Sequence, residues 1–168
     1  MIHILTNIPL MNEYKIERSS AERIAMQAGN DMSKALALAQ NSMLNFKDEL
    51  TAWFRIMLGR RGNEIAGWAS KMGGQEKEEQ KQFALYAIAS IRDILKEFNS
   101  NDQAGDGREM IKYMHENFNA EVWYPVMNEM QSAYEKIGRN ANTKLLWLAT
   151  SIQIKNYLAS YRLQHINT

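Results

Sequence analysis

The sequence predicts an all-α protein, a small helical hairpin followed by a larger helical bundle, and three observations carry that reading. Only two prolines, Pro9 and Pro125, interrupt 168 residues. Apolar residues recur three and four apart rather than in alternation. Glycines and asparagines fall between the periodic stretches, where helices end. At 45% hydrophobic and 23% charged residues the chain is too apolar for disorder. A chain of this length buries roughly 70% of its unfolded surface, enough for a core without metal or disulfide support.

Composition excludes several classes of function. Zero cysteines rule out a disulfide framework, a thiolate nucleophile and any cysteine-ligated zinc or iron–sulfur site, and they fit a reducing compartment. No apolar run approaches the ~20 residues that span a bilayer. The first residues, Met1-Ile2-His3-Ile4-Leu5-Thr6-Asn7, lack the basic flank and long apolar stretch of a signal peptide. The expected location is the cytoplasm, with no membrane partner. Twenty Lys and Arg against nineteen Asp and Glu leave a net charge of +1, which supplies no global field toward nucleic acid or anionic surfaces.

The elements follow in order. Residues 1–10, with Ile2, Ile4, Leu5, Ile8 and Leu10, receive no assignment. A first helix over about 20–28 begins with the capping-box spacing of Ser19 and Glu22 and ends at Gly29-Asn30. Asp31 is the expected N-cap of a second helix, about 32–43, whose Ala35-Leu36-Ala37-Leu38-Ala39 run suits close packing on the first. Leu50, Trp53, Phe54, Met57 and Leu58 form one stripe of a further helix that Gly59 stops. Ile65, Trp68, Ala69 and Met72 repeat the spacing before Gly73-Gly74, and Phe83, Ala87, Ile91, Leu95 and Phe98 mark a long helix over about 75–98.

Residues 99–107 read as a loop, and a short helix over about 108–116 follows. Pro125 fits the first turn of the next helix, which places that start near Trp123. Its buried face is Val126, Met127, Met130, Tyr134 and Ile137, and Gly138 ends it. The last helix, about 143–163, has Asn142 as cap and is apolar on two sides: Leu145, Leu148 and Ile152 on one, Trp147, Ile154, Leu158 and Tyr161 on another. Such a helix is either central to its own core or covered by another chain. Leu145, Leu148 and Ile152 can fill the inner face without Trp147, which sets Trp147 apart from the other tryptophans.

The search for reactive groups is negative. His3, His115 and His165 are scattered, and His115-Glu116 lacks the second histidine of a zinc protease, so no metal site is expected. Residues 102–107 echo a calcium loop, but Ala104 holds its third position and Tyr113 its twelfth. There is no phosphate-binding G-x-x-x-x-G-K-[ST] run and no G-x-S-x-G elbow. Glu78-Glu79 sit in a charge run that reads as a solvated face. Arg60-Arg61 follow a helix C-terminus, where positive charge offsets the macrodipole. Most of the eleven methionines and four tryptophans lie on the apolar stripes and read as core.

Two stretches carry a resemblance. Ala25-Met26-Gln27-Ala28-Gly29-Asn30-Asp31-Met32-Ser33-Lys34-Ala35-Leu36 resembles the end of the small helical lid of AAA+ clamp-loader subunits. Ile137-Gly138-Arg139-Asn140-Ala141-Asn142-Thr143-Lys144-Leu145-Leu146-Trp147-Leu148 resembles the start of the last collar helix in subunits of the delta-prime type from bacterial DNA polymerase III. The helices between them, 46–59, 65–73 and 75–98, are similar in order to that collar. The resemblance covers about residues 20–163.

It implies residues 1–44 as an N-terminal segment with the remnant of the lid, and residues 45–168 as a collar that oligomerises. It also implies a non-catalytic chain, the C-terminal part of such a subunit, that takes no cofactor and no small-molecule ligand. Its implied partners are the other clamp-loader subunits and, through them, the sliding clamp and primed DNA. The position matching the sensor-2 arginine of active subunits is Ser33, beside Lys34, and lacks a guanidinium fork for phosphate. Trp147, Tyr157 and Tyr161, with Arg139 before them, are the expected interface residues, since such side chains commonly anchor interfaces. Their alternative role is to complete the internal core. Competing readings are a collar of the delta or gamma/tau type, a helical nucleic-acid-binding domain using Arg60, Arg61, Lys71 and Arg139, and a small helical enzyme, which no spacing supports.

Overall fold

The computed structural model describes residues 21–166 except 23, 25, 27, 29, 30, 60, 100–108, 140 and 141. Six helices follow one another: α1 (Met32–Leu58), α2 (Gly62–Met72), α3 (Lys77–Asn99), α4 (Glu109–Asn117), α5 (Ala120–Gly138) and α6 (Thr143–Ile166). The described residues between 21 and 28 are helical as well, and no strand occurs among the described residues. None of the described helices is long and apolar enough to cross a membrane. Ser19, the Gly29-Asn30 stop, residues 1–10, Arg60, and the loop with its calcium-like residues 102–107 lie outside the described residues.

The chain divides into two compact units, Met1–Leu50 and Thr51–Thr168. In the first, Ala21, Ile24 and Ala28 pack with Ala35 and Ala39, and Leu38 lies against them. The alanines let two helical segments approach closely, as the hairpin reading expects. Asp31 caps α1, its Oδ1 accepting from the Lys34 N–H at 3.1 Å.

The sequence reading placed a break near residue 44, but α1 runs unbroken through it. No glycine or proline lies between Gly29 and Gly59 to stop it. The expected division at 44/45 and the observed one at 50/51 both fall inside this helix. Where α1 does end, the Gly59 N–H turns back to the carbonyls of Arg55 and Ile56 at 3.0 and 3.2 Å.

In the second unit α5 packs between α3 and α6, α4 rests on α3, and α2 lies along α6. The expected stripes are buried: Trp53, Phe54 and Met57; Ile65, Trp68, Ala69 and Met72; Phe83, Ala87, Ile91 and Leu95; Val126, Met130 and Ile137. Leu58, Phe98, Met127 and Tyr134 are half-buried. Helix α5 begins three residues earlier than the proline implied. Asn119 caps it by accepting from the Glu121 N–H at 3.0 Å, and Pro125 stands inside the helix. The cap fixes the start, and the fold tolerates the amide that Pro125 cannot donate four residues back.

Trp53, Trp68, Phe83 and Trp147 form the centre of this unit. Trp53 stacks on Trp68 at 4.8 Å, and Trp147 meets both nearly edge-on at 5.8 and 5.6 Å. Phe83 stands 5.6 Å from Trp147. Offset and edge-to-face geometries of this kind add to the large apolar area the rings remove from water.

Candidate interaction surface

Helix α6 sorts its two apolar sides in the opposite sense to the sequence reading. Trp147, Ile154 and Leu158 are buried, whereas Leu145 is 61% and Ile152 45% exposed. Leu148 between them is half-buried. The correction has a polar cause as well as a steric one. The Trp147 N–H donates to Gln80 Oε1 at 2.9 Å, and Ser151, four residues on, accepts from the Trp53 N–H at 2.8 Å. The Ser151 hydroxyl in turn donates to the Trp147 carbonyl at 2.6 Å. Those partners sit on the inner face, so turning α6 to bury the leucines would strand each of them in an apolar core.

Trp147 is therefore an internal residue, which is the core-completing alternative of the two roles the sequence left open. Tyr157 and Tyr161 are half-buried, and the Tyr161 ring tilts against Phe118 at 5.7 Å. Arg139 is exposed at the end of α5, 3.9 Å from Glu135. Ser33 and Lys34 are exposed on the first turn of α1. Of the basic residues in the nucleic-acid reading, Arg61 and Lys71 stand at opposite ends of one helix. Arg61 opens α2 with Glu64 at 3.4 Å, and Lys71 closes the same helix ten residues later, about 15 Å away. Among the described residues no group of three His, Asp or Glu could hold a metal ion.

Two ties fix α6, one to the end of α2 and one to the turn between α1 and α2. At one end the Thr143 hydroxyl donates to the Gly73 carbonyl at 2.9 Å. A Cβ on Gly73 would lie 2.6 Å from both Cα and N of Lys144, so the backbones meet there without room for a side chain. At the other end Lys155 Nζ donates to the Gly59 carbonyl at 2.9 Å. The two helices therefore run antiparallel, and the Leu145–Ile152 row sits on the rim that α6 turns away from the core.

Gln80 went unnoticed in the sequence, although it is 1% exposed and holds Trp147 while donating to the Gln75 carbonyl at 2.7 Å. The available signal was its place: 80, 83, 84, 87 and 91 form one helical row, with glutamine the only polar member. What Leu145 and Ile152 offer chemically is apolar contact. The chain matches no known family model, no curated protein and no solved structure.

Proposed function

We propose that this chain is a non-catalytic assembly domain, the lid remnant and collar of a delta-prime-like clamp-loader subunit of bacterial DNA polymerase III. In that role it holds sister subunits together while the sliding clamp is loaded onto primed DNA. The observation that supports this best is the double-sided last helix: Trp147, Ile154 and Leu158 complete the chain's own core, and Leu145 and Ile152 remain in water. Leu145 and Ile152, seven residues apart on one face of the helix, are an apolar pair that another protein can cover. The all-helical architecture fits the same reading, as does Ser33 in place of a phosphate-binding arginine.

The test is co-expression of the full chain, tagged, with the other clamp-loader subunits of the same organism, followed by capture in mild salt. Stoichiometric retention of at least one sister subunit is expected. Retention of none overturns the proposal.

A further inference from the structure

We draw no further inference here: the strongest candidate, the uncharged outward stripe of α6 formed by the exposed Leu145, Ala149, Ile152, Asn156 and Ala159, is an unpartnered helix face, and nothing in the structure shows what covers it.

Discussion

The indole N–H of Trp147 donates to Oε1 of Gln80 across 2.9 Å, and both residues are almost wholly excluded from solvent. The amide nitrogen of the same glutamine closes the turn before α3 by donating to the Gln75 carbonyl. One side chain therefore joins the start of α3 to the inner face of α6. Gln80→Leu preserves approximate volume but strands the Trp147 N–H and frees the Gln75 carbonyl. A loss of about 1–3 kcal/mol is expected, the range for a buried polar group left without its partner. Urea unfolding followed by tryptophan fluorescence checks it, and an unchanged midpoint would show that the bond contributes nothing net.

The contact between Gly73 and Lys144 yields a pair of opposed expectations from one substitution type. Gly73→Ala places a methyl 2.6 Å from the Lys144 backbone, where no flexible side chain can yield. Separating α2 from α6 enough to admit it costs about 1–3 kcal/mol, as overpacking does elsewhere. Gly67→Ala, six residues earlier on the exposed face of the same helix, meets open space. There the gain is about 0.4–1 kcal/mol, because alanine narrows the unfolded ensemble and favours helix. Chemical denaturation of both variants should move the midpoint in opposite directions.

Most of the fold was legible in the sequence because helix signals here are local. Asp31, Gly59 and Asn142 sit at helix ends, and the stripes around Trp53, Trp68 and Phe83 are the buried ones. What was illegible depended on partners far away in the chain. Nothing within α6 distinguishes its Leu145 side from its Trp147 side. The choice is made by Gln80 and Trp53, which lie 67 residues from Trp147 and 98 from Ser151 respectively. The start of α5 was misplaced for a different reason: Pro125 is a strong signal for a helix N-terminus, and the Asn119 cap overrides it. The exposed row of α6 was half legible, since the apolar excess of the helix was visible but which of its sides stays outside was not.

Trp53 and Trp123 are both buried, yet only one satisfies its indole. Trp53 donates to Ser151 Oγ at 2.8 Å, while the Trp123 N–H finds no hydrogen-bond partner among the described residues. Phe54 and Phe118 approach Trp123 edge-on at 5.9 and 6.0 Å, so its surroundings include aromatic rings. Replacing each tryptophan by phenylalanine removes similar ring area. Trp53→Phe also breaks a buried bond and leaves one lone pair of Ser151 unused, whereas Trp123→Phe removes a donor that was already desolvated without return. Trp53→Phe is expected to cost about 1 kcal/mol more than Trp123→Phe, the net worth of a typical hydrogen bond. Thermal melts of the two variants under identical conditions decide it, and the reverse order would contradict the unpaired state of Trp123.

Lys155 closes the opposite end of the α2–α6 pair. Its half-buried ammonium donates to the carbonyl of Gly59, at the end of α1 where unpaired carbonyls and the helix macrodipole concentrate negative potential. Lys155→Met keeps the aliphatic stem, so any loss reports the charge and the bond rather than packing. The expected loss is about 1–2 kcal/mol, within the range for a charged group on a neutral acceptor. Lys155→Arg retains a donor of the same sign and restores part of it. The dependence on salt separates the two contributions: screening at 1 M ionic strength, where the Debye length is about 3 Å, weakens the charge–dipole part while the short hydrogen bond persists. The difference in melting temperature between parent and Lys155→Met should therefore shrink, without vanishing, between low and high salt. A difference that is zero at low salt would mean that the Lys155–Gly59 contact does not hold α1 against α6.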